Sequence, residues 1–147
     1  MPVTDVVCDA SVVLTWFHDE GEHEVEEVRS LLAAHRSGRL TAWILDLTLY
    51  ELGNFLLRTL RWPAAEAAAQ LDDVRSICGV LNPAAGELRL AAQLAETHTL
   101  TFYDALYAAA ARQRGAALAT SDRALLAAGV GETAGTIAVR LGITEAL

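Results

Sequence analysis

The chain has 147 residues, 53% of them hydrophobic, and a net charge of −8. That length fits one domain with a real core, and that composition excludes disorder. All 11 basic residues are arginine, which removes the lysine that a P-loop, a Schiff base or a Ser-Lys pair requires. The acidic balance argues against gripping nucleic acid by charge alone, unless the negative charge is concentrated where metal ions neutralise it.

No apolar run approaches the ~18 residues of a membrane span. The opening "MPVTDVV" has no basic stretch and carries Asp5, so it is a poor signal peptide. The expectation is a soluble, cytoplasmic protein with no membrane partner. Cys8 and Cys78 sit among apolar residues, and no Cys/His spacing matches a zinc site. They read as buried free thiols.

In chain order, Val3–Asp9 reads as a strand and Ser11–Phe17 as a short helix. An acidic break, "HDEGEHE", precedes an amphipathic helix over Val25–Arg36 that stops at Ser37-Gly38. Leu40–Leu45 is a second strand. Leu47–Leu60 is helical, with a stripe of Leu49, Leu52, Leu56, Leu57 and Leu60. Pro63 suits the first turn of a helix running through Ile77. "CGVLNP" gives a short strand, and Ala84–His98 an alanine-rich helix. Thr101 is placed to cap a helix over Phe102–Arg114. Ala116–Thr120 is another short strand, followed by a turn and a short helix in "SDRALLAAGV". The tail "GETAGTIAVRLGITEAL" is read as holding one strand. Strands alternate with helices, which predicts a single α/β domain over 1–147 with a mostly parallel sheet.

Most of the 19 acidic residues fall in solvated runs or on polar helix faces. Asp9, Glu51, Asp104 and Asp122 differ: each lies at a strand end or among apolar residues. Each alone has an ordinary explanation, such as a helix start for Asp104 or a turn for Asp122. Together they suggest more, because the carboxyl ends of strands in an open parallel sheet form one crevice where ligands bind. Glu51, Asn54 and Arg58 are spaced to share one helix face. Carboxylates gathered in a crevice repel one another, and Mg²⁺ or Mn²⁺ relieves that repulsion. Such a site suits phosphodiester hydrolysis.

The segments "VVCDASVVLTWF", "TLYELGNFLLR" and "LTFYDALYAAAARQRGAALATSDRAL" resemble the PIN-domain family, close to the VapC-type ribonuclease toxins of type II toxin–antitoxin pairs. The likeness runs in order over nearly the whole chain. Asp9, Glu51 and Asp104 match the family's acidic positions. Ser11 and Asn54 match its small hydroxyl and amide, and Thr120 with Asp122 its closing T-x-D.

The resemblance implies a three-layer α/β/α sandwich. It implies Mg²⁺- or Mn²⁺-dependent cleavage of RNA, a homodimer, and inhibition by a small antitoxin that covers the site. On this reading Asp9 and Asp104 are direct metal ligands, and Glu51 and Asp122 act directly or through water. Ser11, Thr120 and Asn54 support them by hydrogen bonding. Arg58, Arg112, Arg114 and Arg123 lie near the motifs, and Trp16, Tyr103 and Tyr107 are expected in the core or at the dimer surface. A dehalogenase-type phosphotransferase would need an aspartate where Ser11 stands, and a lysine. A PIN nuclease outside a toxin pair and a catalytically silent binding module are the remaining alternatives. A neighbouring gene for a small DNA-binding protein would favour the toxin.

Overall fold

The computed structural model describes residues 4–143. Four short strands form one sheet: β1 (Thr4–Cys8), β2 (Leu40–Leu45), β3 (Gly79–Leu81) and β4 (Ala117–Ala119). Their order is β3-β2-β1-β4, and every pairing is parallel. The helices are α1 (Ala10–Thr15), α2 (Val25–Arg36), α3 (Asp46–Asn54), α4 (Ala64–Ile77), α5 (Ala85–His98), α6 (Phe102–Arg114), α7 (Arg123–Ala127) and α8 (Ala134–Leu141).

Alternation along the strands splits the core in two. Val6, Cys8, Leu40, Ala42 and Ile44 face a cluster with α1, α2, α3, α4 and α8. Val7 and Leu45 face a second cluster built largely from α5, α6 and α7. Helices therefore cover both faces, giving the three layers. Because both faces are buried, the strands read as nearly continuous apolar runs such as "VVC" and "WIL". The alanines of α6, Ala105 and Ala108 to Ala111, are all buried and let that helix lie close to the sheet and to α5. His35 pins the far side. Its Nδ1 accepts from the Ala42 N–H at 3.0 Å, so Nε2 carries the proton and donates to the Ile77 carbonyl at 2.7 Å.

Two sequence expectations change. Among its described residues the tail forms no strand: residues 134–141 are α8, an amphipathic helix whose Ala134, Ile137 and Ala138 pack inward against α2. Thr133 caps it through a bond to the Thr136 N–H, and extended pairing is limited to one isolated bridge, Ala119 to Glu132. The spacing of Ala134, Ile137, Ala138 and Leu141 is helical, and the β-branched residues between them masked it. Residues 144–147 of that tail, and Val3 of the first predicted strand, lie outside the described residues.

The second change falls in the Leu47–Leu60 helix. It is α-helical only to Asn54 and continues as a π-helix over Phe55–Thr59, marked by the Leu60 N–H bonding to the Phe55 carbonyl. The wider turn winds more slowly. Leu57 consequently leaves the apolar stripe and is 44% exposed, while Leu56 is fully buried. Arg58 lies within this π-turn and is exposed.

Candidate active site

The sheet order places the switch in winding direction beside β1: the chain runs β1, β2, β3 to one side and returns to put β4 on the other. The crevice beyond the carboxyl ends of β1 and β4 is where an open parallel sheet binds ligands. Asp9 follows β1 directly and caps α1, its Oδ1 accepting from the Val12 N–H at 3.2 Å and from the Ser11 hydroxyl at 2.6 Å. Its Oδ2 accepts a short hydrogen bond from the Thr120 hydroxyl, at the end of β4. Ser11 Oγ accepts in turn from the Ser121 N–H at 3.0 Å, and Thr120 Oγ1 from the Asp122 N–H at 2.9 Å. Thus the two hydroxyls fasten Asp9 to the β4 loop. Asp122 caps α7, its Oδ1 accepting from Ala124 N at 2.9 Å and Leu125 N at 3.1 Å.

Glu51 and Asp104 approach from two helices. Glu51 lies one turn along α3 from Thr48, and its Oε1 accepts from the Tyr107 hydroxyl at 2.6 Å. Tyr107 lies one turn along α6 from Asp104, whose N–H is held by the capping Thr101 hydroxyl at 3.1 Å. Asn54 is exposed. The residue that reaches Glu51 is Tyr107, read from sequence as core or dimer surface. Thr48, completely buried, was not singled out at all. Its spacing of three before Glu51, on the same face, was the available signal. Tyr107 gave none, because its partner is 56 residues away.

The electrostatics join the four acids. Burial raises the Asp9 pKa to about 6; its hydrogen bonds from Ser11, Thr120 and Val12 oppose this, and the charge of Asp122 adds to it. Burial also raises the Glu51 pKa, against the Tyr107 bond and with the charges of Asp9 and Asp104. The Asp104 carboxyl is raised by burial and then by the charge of Asp122, against the bond from Thr101. Asp9, Glu51 and Asp104 therefore each feel another acid across the crevice. Among the described residues, the ion pairs join His18 to Glu22, Arg29 to Asp19 and Arg140 to Glu132, so no cationic side chain neutralises this group. Arg114 instead stacks on the Trp43 ring at 4.1 Å.

The donor set is hard oxygen, the chemistry that Mg²⁺ and Mn²⁺ take. Among the described residues, no three His, Cys, Asp or Glu side chains are grouped to hold one ion together. Mg²⁺ needs only one or two direct carboxylates and keeps several waters. The residues present therefore fit an ion held directly by one or two of the acids and by the others through water. Cys8 and Cys78 are buried free thiols, and burial pushes the Cys78 pKa up to about 12. Neither is a thiolate available to a metal.

The PIN domain model matches residues 6–130, and the chain belongs to the PIN domain family. Within it the likeness runs to VapC proteins. The protein named exonuclease VapC9 from Pyrobaculum aerophilum is 43% identical over 91 residues, 57% of this chain and 64% of that protein's length. The crystal structure of PAE2754, also from Pyrobaculum aerophilum, superposes with a TM-score of 0.67 at 30% identity, covering 95% of this chain and 96% of the other. Mycobacterium tuberculosis VapC20, described as a sarcin–ricin loop cleaving toxin, shares the fold with a TM-score of 0.65 at 18% identity, over 84% of this chain and 95% of its own.

Proposed function

We propose that the protein is a divalent-metal-dependent endoribonuclease, the toxin of a toxin–antitoxin pair that blocks translation by cutting RNA. The observation that carries this reading is the group of four carboxylates at the winding switch of the sheet, with the pKa values of Asp9, Glu51 and Asp104 raised and, among the described residues, no cationic side chain paired with them. Mg²⁺ or Mn²⁺ held there would polarise a phosphate oxygen and make a bound water more acidic. Asp9 and Asp104 would hold the ion directly, and Glu51 and Asp122 would reach it through water. Ser11 and Thr120 hold Asp9 in one orientation through both of its oxygens. Glu51, raised in pKa and bonded to protein at one oxygen, is suited to take the proton of the attacking water.

The VapC9 name supports a nuclease, and the VapC20 description supports a structured RNA loop as substrate. Such an enzyme acts in the cytoplasm and endangers the cell that makes it. A small antitoxin that covers the crevice is therefore its natural partner. A homodimer is the working assembly, in keeping with the resemblance and with the exposed Tyr50, Leu88, Phe102 and Tyr103.

The test uses an RNA circle, which has no ends for an exonuclease. Purified protein with Mn²⁺ or Mg²⁺ should linearise it, and EDTA should stop the reaction. Asp9→Asn and Asp104→Asn should each lower cleavage at least 100-fold while circular dichroism remains that of the wild type. Mg²⁺ should also raise the melting temperature of the wild type by mass action. A wild type that neither binds Mg²⁺ nor cuts RNA would sink the proposal.

A further inference from the structure

The hydrogen-bond directions around Glu51 are fixed by donor count. The Leu45 N–H, at the last residue of β2, donates to Thr48 Oγ1 at 3.1 Å. Thr48 Oγ1 and Tyr107 OH are 2.9 Å apart, and the Tyr107 hydroxyl donates to Glu51 Oε1 at 2.6 Å. A hydroxyl has one proton. Since Tyr107 spends its own on Glu51, the proton between the two hydroxyls belongs to Thr48. The chain therefore runs one way: Leu45 N–H to Thr48, Thr48 to Tyr107, Tyr107 to the carboxylate. Thr48 is completely buried and Tyr107 is 1% exposed, so no solvent competes for these bonds.

The relay also joins the two helices that carry acids. Thr48 and Glu51 share one face of α3, and Tyr107 and Asp104 one face of α6, each pair three residues apart. One hydrogen bond thus ties the Glu51 carboxylate to the helix bearing Asp104, and the Thr48 bond ties both to the end of β2. Among the described residues, Oε2 of Glu51 accepts no hydrogen bond from protein.

We propose that Tyr107, oriented by Thr48, is a positioning residue for the divalent cation: it takes one oxygen of Glu51, leaves the other for the ion or its water, and sets the spacing between Glu51 and Asp104. This rests on the metal-dependent reading above. Partners of ligating carboxylates have measurable weight, their loss typically costing about 10–100-fold in metal affinity.

The experiment is a Mn²⁺ titration by calorimetry on the metal-free protein, with no RNA present. Tyr107→Phe keeps the ring in the core and removes only the hydroxyl. It should weaken Mn²⁺ binding about tenfold or more, while Thr48→Ser, which keeps the relay, should bind as the wild type does. A double-mutant cycle separates positioning from general loosening. In a Glu51→Gln background, Tyr107→Phe should produce little further loss, because its effect passes through Glu51. If Tyr107→Phe binds Mn²⁺ with wild-type affinity, or if its loss is equally large without the Glu51 carboxylate, Tyr107 is not a positioning residue. Should Tyr107→Phe fail to fold, Thr48→Val takes its place in the same cycle, with the same two overturning results. If the wild type itself binds no Mn²⁺, the metal-dependent reading fails, and this inference with it.

Discussion

Asp9 accepts hydrogen bonds on both carboxylate oxygens and is still held near pKa 6, because burial at 5% exposure outweighs them. A carboxyl whose folded pKa lies above its unfolded value near 3.8 binds its proton more tightly when folded. The charge therefore penalises the metal-free fold fully above about pH 6, and the penalty disappears as pH falls through 6 toward 4. A displacement of roughly two units is worth about 3 kcal/mol. Asparagine removes that charge but strands the Thr120 hydroxyl proton, at about 1 kcal/mol. In EDTA, Asp9→Asn should thus be more stable than the wild type by about 2 kcal/mol at pH 8, and the gain should vanish near pH 4. Urea unfolding at the two pH values measures it. A mutant less stable than the wild type at pH 8 would mean that the fold depends on the ionised carboxylate. The same raised pKa values make metal compete with protons, so Mg²⁺ stabilisation should fade below about pH 6.

At the scale of elements, what the sequence revealed depended on how local the signal was. The bounds of α2, β2 and α6 were legible because each has apolar periodicity and clear ends: Ser37-Gly38 after α2, and Thr101 and Gly115 about α6. Gly115 adopts φ +64°, the left-handed stop that glycine permits. The four acids stood out in the sequence because Asp9, Glu51 and Asp104 lie beside or within apolar runs and Asp122 follows a strand. The π-turn over Phe55–Thr59 was not, since leucine spacing fits either helix until one residue must turn outward. The Tyr107–Glu51 bond was not, because it spans two helices far apart in the chain. A further contact illustrates the same limit. Gly79 opens β3, and a Cβ there would lie 2.3 Å and 2.4 Å from carbons of the Trp43 ring. That ring cannot yield easily: its Nε1–H donates to Asp5 at 2.9 Å, and Arg114 stacks over its face. Gly79→Ala should cost about 1–3 kcal/mol by overpacking, read from the shift in urea midpoint. An unchanged midpoint would show that Trp43 moves freely.

Over the whole molecule, polar and apolar surfaces are unevenly shared. Tyr50, Leu88, Phe102 and Tyr103 are exposed large side chains, and Tyr50, Leu88 and Tyr103 line one shallow cavity of about 270 Å³ with Leu47, Pro83 and Leu106. Tyr50 and Tyr103 are each the neighbour in sequence of an acid of the site, Glu51 and Asp104. Contiguous exposed apolar surface of this kind marks an interaction site, and a second copy of the chain is the occupant that the proposed homodimer calls for. Light scattering should give a dimer at micromolar concentration, and Tyr50→Glu with Tyr103→Glu should give a folded monomer. A wild type that is already monomeric would remove the homodimer from the proposal.

The parallel pairing of β1 with β4 has a consequence in time. Asp9 and its partner Thr120 are separated by 111 positions, and β4 enters the sheet only after α5 and α6 have been made. Synthesis at about 5–20 residues per second puts roughly 5 to 25 seconds between the appearance of Asp9 and that of Asp122. Throughout that interval the emerging polypeptide has one side of its crevice and lacks the other. Whatever the four carboxylates do together must wait for β4. The crevice closes only when β4 has cleared the ribosome and slid in beside β1.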